Sequence, residues 1–135
     1  MSARVRTVES FAFKYGRIEI KAKMPKGDWL WPALWLLPKD QAYGKWPASG
    51  EIDICESRGN DASYPAGGVN SFASTLHWGP NWDFNRFEKT HAEYKLPTGT
   101  LHDDFHVYGL YWDENELYTY LDNDSNKVLH VDFTK

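Results

Sequence analysis

The stretch EIDICE, residues 51–56, places three carboxylates among β-forming residues and decides the fold. Its two isoleucines are β-branched and alternate with acids, which is typical of a strand. Because side chains alternate across a strand, Glu51 and Asp53 share one face and the isoleucines share the other. Glu56 lies at an odd offset from Glu51 and would enter the core of a regular strand. We therefore predict a β-bulge near Cys55 that returns Glu56 to the acidic face.

Carboxylates arranged in this way suit the hydrolysis of glycosidic bonds. A retaining glycosidase needs a nucleophilic carboxylate and a proton-donating carboxylic acid about 5–5.5 Å apart. Asp53 lies between Glu51 and Glu56, and its charge would raise the proton affinity of a neighbouring glutamate. From these residues alone, the competing interpretation is a solvated strand face that carries scattered acids.

Composition narrows the classes of function. A length of 135 residues suits one compact domain, and seven tryptophans with 16% aromatic residues exceed the needs of a core. The net charge of −4 gives no basic surface, so we expect no nucleic-acid partner. No apolar run approaches the ~20 residues that cross a membrane, so we expect no membrane partner. The single cysteine, Cys55, is expected to be a small buried hydrophobic residue.

Short alternating segments predict an all-β chain without long helices. The expected strands are 17–24, 33–37, 51–56, 74–78, 105–112, 116–121 and 128–133. Segments 59–71 and 79–103 are rich in Gly, Pro, Asn and Asp and are expected to be loops. Many short strands separated by turns favour an antiparallel β-sandwich or jelly roll. Strand signals reach both ends of the chain, and such sandwiches often need 200–250 residues. We therefore expect residues 1–135 to be part of a larger domain.

Several segments together resemble a known family. They are SARVRT at 2–7, YGRIE at 15–19, WPALWLLP at 31–38, WPASGEIDICE at 46–56, TLHWG at 75–79 and FHVYGLYW at 105–112. Read together, they resemble glycoside hydrolase family 16 in its laminarinase branch. The sequence of these segments is most similar to invertebrate β-1,3-glucanases and to the related β-1,3-glucan-binding, or Gram-negative-binding, proteins.

The resemblance implies a concanavalin-like jelly roll that hydrolyses β-1,3-glucan internally with retention of configuration. By motif position, Glu51 resembles the nucleophile, Asp53 the assisting carboxylate and Glu56 the acid/base. It also implies that residues 1–135 are the central part of a single catalytic domain, truncated at both ends. We expect no cofactor and no metal site within this stretch, since the usual calcium ligands of the family would lie near the missing ends. We expect a secreted monomer, and the sequon Asn123-Asp124-Ser125 also favours an extracellular protein.

Aromatic and polar residues around the acids are the expected glucan contacts, because sugar C–H faces pack on aromatic rings. The expected substrate-binding residues are Trp31, Trp35, Trp46, Arg58 and His77. Arg58 is equally consistent with a surface arginine or with a partner of a motif carboxylate. Trp78 and Trp112 are more consistent with the core, Trp29 with a cleft rim or an exposed loop. The other histidines show no metal-ligand spacing and are interpreted as ordinary residues.

Two other functions remain open from the sequence. The same fold and tryptophans would serve a non-catalytic β-1,3-glucan recognition protein of innate immunity. A recognition protein does not need all three acids, however, and all three are present. A structural sandwich without a sugar role would explain neither the tryptophans nor the acidic motif.

Overall fold

The computed structural model describes residues 2–135, which form two four-stranded antiparallel sheets. The strands are β1 (Gly16–Ala22), β2 (Ala33–Leu36), β3 (Glu51–Ser57), β4 (Ser71–His77), β5 (His91–Lys95), β6 (His106–Trp112), β7 (Glu116–Leu121) and β8 (Lys127–Asp132). One sheet has the order β2-β3-β4-β5 and is called the acidic sheet, because β3 carries the three acids. The other has the order β1-β6-β7-β8 and is called the aromatic sheet. The expected all-β sandwich is therefore confirmed.

Local alternation explains most of these strands. In β1 the residues Ile18, Ile20 and Ala22 are partly buried and their neighbours are exposed, as predicted. The predicted pair of strands joined at 113–115 is the antiparallel β6–β7 hairpin. The aspartate that follows β6 shapes this turn, since the Asp113 carboxylate accepts from the backbone N–H groups of Asn115 and Glu116. None of the described residues forms a helix long and apolar enough to cross a membrane.

The prediction of a loop over residues 79–103 is wrong in part. This segment contains two 3₁₀ turns, Trp82–Phe84 and Phe87–Thr90, and the five-residue strand β5. The strand is short and three of its five residues are exposed, so its hydrophobic alternation is weak. Pairing with β4 over its whole length makes it a strand. The same pairing extends β4 back to Ser71, three residues before its predicted start.

Apolar side chains from both sheets meet in one core. Its buried members are Met24, Ile54, Cys55, Phe72, Leu101, Tyr108, Leu110, Leu117 and Leu121. Cys55 is completely buried, and this burial raises the pKa of its thiol above the usual range. The cysteine is thus a small core residue, as expected.

A β-bulge interrupts β3 where the sequence predicts one. Asp53 pairs with Thr75 of β4, and the next pair is Glu56 with Ala73, so β3 has two residues opposite one. The pairing with β2 is displaced at the same place. Both residues of the bulge, Ile54 and Cys55, are buried in the core. Strict alternation is therefore suspended for one residue, which places Glu56 on the same face as Asp53.

Candidate active site

The three acids lie in a row along β3 but differ in burial. The Asp53 side chain is almost fully buried, whereas Glu51 and Glu56 are half-buried and reach the solvent. Glu56 pairs with an alanine on each neighbouring strand, Ala33 on β2 and Ala73 on β4. These small neighbours fit the partial exposure of Glu56, which a substrate needs in order to reach its carboxyl group.

Two tryptophans donate hydrogen bonds to the two outer acids. The indole N–H of Trp46 donates to Oε2 of Glu51 at 2.8 Å. The indole N–H of Trp31 donates to Oε1 of Glu56 at 3.1 Å. Trp31 is largely exposed and Trp46 is half-buried, so each ring also presents an apolar surface beside a carboxylate. These contacts orient the two glutamates without placing a full positive charge beside either of them.

His77 faces the acids from the end of β4. Its Nε2 atom lies 3.2 Å from Oδ2 of Asp53 and 4.0 Å from Oε1 of Glu51. The amide nitrogen of Asn85 lies 2.8 Å from Nδ1 of the ring. An amide nitrogen can only donate, so Nδ1 accepts and the ring proton sits on Nε2, toward the carboxylates. Asn85 thereby sets which nitrogen of His77 faces the acids.

Aromatic rings on both sides hold the His77 imidazole in place. Its centroid is 5.4 Å from that of Trp46 and 5.5 Å from that of Phe87. The Trp46 ring in turn packs on Trp82, with centroids 4.8 Å apart. Trp82 is strongly exposed and extends this aromatic surface outward. The arrangement fixes the imidazole and forms an apolar wall at the Glu51 end of the row.

Burial and like charges raise the pKa of Asp53 to about 8. Removal from water is the largest cause, followed by repulsion from Glu56 and Glu51 and by a hydrogen bond to Glu51. Asp53 therefore retains its proton at neutral pH and can donate it in that hydrogen bond. Among residues 2–135, Oδ2 of Asp53 has no partner with hydrogen-bond geometry, although it lies close to His77.

Burial also raises the pKa of Glu56 above its usual range. The charge of Glu51 acts in the same direction, whereas His77, the Trp31 hydrogen bond and Arg58 oppose it. A carboxyl group with a raised pKa keeps its proton closer to neutrality, which is the state that a general acid requires.

The other predicted sugar contacts lie around the same row. Trp35 pairs with Asp53 across β2 and β3, is 37% exposed, and is covered on one side by the guanidinium of Arg4 at 4.5 Å. Arg58 donates to the carbonyl oxygen of Ala66 at 2.6 Å and lies over the Trp31 ring at 5.5 Å. Arg58 forms no ion pair with a motif carboxylate in the described part of the chain. It instead packs against the Trp31 ring at the edge of the site.

The assignment of Trp78 to the core is wrong. Its side chain is 40% exposed, and its indole N–H donates to Thr90 at the edge of the 3₁₀ turn. Trp78 lies just after the end of β4, outside the paired strand, so its ring is not held between the two sheets. Trp112 is partly buried and packs against the core, as expected. Trp29 is 78% exposed on its loop.

Asn85 and His91 lie near the acidic row but are not among the site residues predicted from the sequence. Asn85 lies in a segment interpreted as a loop, and no local pattern marks it. His91 on β5 contacts the hydroxyl of Thr75 at 2.9 Å, and Thr75 pairs with Asp53. His91 therefore borders the acidic row, although it is interpreted as ordinary from the sequence. The HAEYK alternation of β5 is the only signal that could have placed it there.

Glu51, Asp53 and His77 offer metal-ligand atoms within 4.8 Å of one another. The Asn85 contact, however, leaves the proton of His77 on Nε2, so this nitrogen presents a donor to the carboxylates rather than a lone pair to a cation. The arrangement suits proton sharing between the acids better than metal binding.

A cavity of about 360 Å³ adjoins the Glu51 end of the row. It is lined by Leu37, Pro38, Gln41, Trp46, Ser49, Gly50 and Glu51. Its mixture of apolar surface and a few polar groups is typical of a sugar-sized pocket.

Comparison with known proteins identifies the class. A family model described as glycosyl hydrolases family 16 matches residues 1–134. The chain therefore belongs to glycoside hydrolase family 16, and the resemblance to its laminarinase branch is confirmed. The laminarinase catalytic domain from Thermotoga maritima superposes with a TM-score of 0.76 at 34% identity. The superposition covers 93% of this chain and 46% of that one.

Two curated relatives carry different descriptions. A beta-1,3-glucan-binding protein of Penaeus monodon is 58% identical over 122 residues, covering 90% of this chain and 33% of that protein. Glucan endo-1,3-beta-glucosidase A1 of Niallia circulans is 42% identical over 122 residues, covering 90% of this chain and 17% of that protein. The chain thus spans a third or less of the length of either relative.

Proposed function

We propose that the protein containing this chain is a retaining endo-hydrolase of β-1,3-glucan. The observation that carries the proposal is the bulge in β3, which puts Glu51, Asp53 and Glu56 on one face in three different environments. Retaining hydrolysis needs one ionised and one protonated carboxyl group beside the scissile bond. Family membership and the likeness to a laminarinase domain support the same reaction.

Each acid has one role in the proposed mechanism. Glu56 protonates the glycosidic oxygen while Glu51 attacks the anomeric carbon and forms a glycosyl-enzyme. Glu56 then removes a proton from water, which releases the sugar with retained configuration. Asp53 keeps its proton near neutral pH and shares it with Glu51, so that Glu51 stays oriented while its charge is consumed. His77 supplies an N–H toward both of these carboxylates.

Substrate binding is assigned to the residues around the row. Trp31, Trp35 and Trp46 would stack on sugar faces, and the Trp46–Trp82 pair would extend that surface past Glu51. Arg58 and His77 would bind hydroxyl groups. We further propose that residues 1–135 are the central part of one catalytic domain whose remaining strands complete the cleft. Secretion and a monomeric state complete the proposal.

The test is the release of reducing ends from laminarin by the whole protein. We expect release, with the first product in the β configuration by proton NMR. An α first product would show inversion and would remove Glu51 from the role of nucleophile. Comparing rates on laminarin, lichenan and xyloglucan tests the linkage, and a preference for xyloglucan would contradict the β-1,3 assignment.

A second function is recognition of β-1,3-glucan without hydrolysis. The observation in its favour is the 58% identity with a protein described as glucan-binding. The three acids favour the enzyme, because binding alone uses the aromatic surface and does not need a buried, protonated Asp53. Laminarin binding without release of reducing ends by the whole protein would establish recognition instead.

A further inference from the structure

A chain of hydrogen bonds crosses the core behind the acidic row. The hydroxyl of Ser74 donates to the carbonyl oxygen of Ile54 at 2.7 Å. The hydroxyl of Thr119, on β7 of the aromatic sheet, donates to Oγ of Ser74 at 2.7 Å. The backbone N–H of Leu129 on β8 donates to Oγ1 of Thr119 at 3.1 Å. Two side chains therefore connect the aromatic sheet to the catalytic strand.

Both ends of this chain of hydrogen bonds lie at a bulge. Ile54 has no register partner on β2 or on β4, because it belongs to the bulge of β3. In the aromatic sheet, Tyr118 pairs with His130 and Tyr120 with Lys127, so β8 has two residues opposite Thr119. Leu129 is one of those two. The hydroxyls thus satisfy backbone groups that a regular ladder would have satisfied.

The hydrogen bonds of this series all run in one donor-to-acceptor direction. A hydroxyl has one hydrogen to donate, and each of the two hydroxyls uses it once, from Leu129 through Thr119 and Ser74 to Ile54. Ser74 and Thr119 have no exposed surface, so bulk water cannot replace either partner. Loss of one hydroxyl would leave buried polar groups unpaired, and the bulge would relax to recover them.

We propose that Ser74 and Thr119 are positioning residues for Glu56, which hold the bulge of β3 in the register that puts this glutamate on the cleft face. Thr119 acts through Ser74, and Ser74 acts through the carbonyl of Ile54, two residues before Glu56. The inference rests on the proposed function only in calling Glu56 the acid/base. The structural link itself does not depend on hydrolysis.

The decisive variant is Thr119→Val, which keeps the shape of the side chain and removes the hydroxyl. In the whole protein we expect kcat on laminarin to fall about tenfold with KM within about twofold, because misplacement of a catalytic group affects the chemical step more than binding. Thr119→Ser restores the hydroxyl and should restore kcat. Ser74→Ala should have at least the effect of Thr119→Val, and Ser74→Cys keeps the volume if the alanine variant does not fold.

The matched control is Leu117→Val, which removes one buried methylene from the same strand without touching the hydroxyls. It should lower Tm while leaving kcat within about twofold. A second measurement distinguishes positioning from loss of stability. Because burial raises the pKa of Glu56, relaxation of the bulge should move the alkaline limb of the pH–rate profile to lower pH in Thr119→Val and not in Leu117→Val.

Amide hydrogen exchange tests the link even if the whole protein proves not to hydrolyse glucan. Thr119→Val should accelerate exchange at Cys55 and Glu56 about tenfold relative to β6, whereas Thr119→Ser should not. Failure of hydrolysis with this exchange pattern would overturn the proposed function and leave the positioning link standing. Unchanged exchange and unchanged kcat in Thr119→Val, or equal effects in Leu117→Val, would overturn the inference.

Discussion

The two sheets differ in how their charged side chains are paired. In the aromatic sheet, Arg17 pairs with Asp124 at 3.1 Å and lies over the Tyr120 ring, and the Tyr120 hydroxyl donates to Glu19 at 2.5 Å. The Lys127 ammonium lies 3.8 Å from the centroid of Tyr118. In the acidic sheet, three carboxylates share one face of β3. No lysine or arginine within residues 2–135 comes within ion-pair distance of any of them.

This difference separates stability from function. In the aromatic sheet, opposite charges pair with one another and cations lie over aromatic rings, so its charged groups add to the stability of the fold. Burial, together with repulsion between the acids, raises the pKa of Asp53 and Glu56 and costs folding free energy near neutral pH. A protein retains such a cost where the shifted proton affinity is useful. Variants of charged residues should therefore lose activity in the acidic sheet and little in the aromatic sheet.

The largest effect should follow Glu51→Gln. The amide keeps the size of the side chain and cannot attack an anomeric carbon, so kcat on laminarin should fall at least about 10⁴-fold. Glucan affinity, measured by calorimetry with laminari-oligosaccharides, should change little. Residual activity above one hundredth of the original would show that another group is the nucleophile.

Glu56→Ala should rank second, since removal of a general acid typically costs about 10²–10⁴-fold. Azide should partly restore turnover of aryl laminari-oligosaccharides with a good leaving group, because departure then needs no proton and azide replaces the activated water. The rescued product should be a β-glycosyl azide. Absence of rescue, together with intact binding, would contradict the acid/base role.

Asp53→Asn should lower kcat by about 10–100-fold, less than Glu51→Gln, because the amide can still donate toward Glu51. Its effect on stability should have the opposite sign. The folded state keeps the Asp53 proton up to pH about 8, while the unfolded chain releases it near 4, so the free energy of unfolding falls as pH rises between these values. Denaturant titrations at pH 7.5 should show the variant more stable by at least about 1 kcal/mol. Equal pH dependence in both proteins would show that Asp53 is ionised when folded.

Asn85→Asp should lower kcat/KM by about tenfold through His77. The introduced carboxylate can only accept, so Nδ1 of His77 must carry a proton. Nitrogen-15 NMR of histidine-labelled protein should show this change. Asn81→Asp is the matched control, since it adds the same charge to the same 3₁₀ turn, where an aspartate can still cap Phe84 N–H. Similar losses in both variants would mean that charge alone, and not the histidine proton, is responsible.

The smallest effect should follow Lys127→Met in the aromatic sheet. The Lys127 ammonium lies over Tyr118 and 4.0 Å from Glu116, and the side chains of Lys127 and Glu116 are both partly exposed. Its loss should lower the free energy of unfolding by less than about 1 kcal/mol, and kcat should stay within about twofold. A large loss of activity would show that the two sheets are not separable in this way.

The sequence by itself determined the features that depend on consecutive residues. Alternation in 51–56 placed Glu51 and Asp53 on one face, and the odd offset of Glu56 required the bulge that β3 contains. Turn residues at 113–115 placed the β6–β7 hairpin. The motif identified the family, since its residue types and spacing are specific enough to be recognised without knowledge of the fold.

Only the tertiary structure decided which distant groups meet. Ser74 and Thr119 are 45 residues apart, and their contact depends on how the two sheets face each other. Asn85 reaches His77 because a short turn folds back over the end of β4, and His91 joins the site because β5 pairs with β4. Local propensity carries no information on such contacts, since they arise from pairing and packing between segments far apart in the chain.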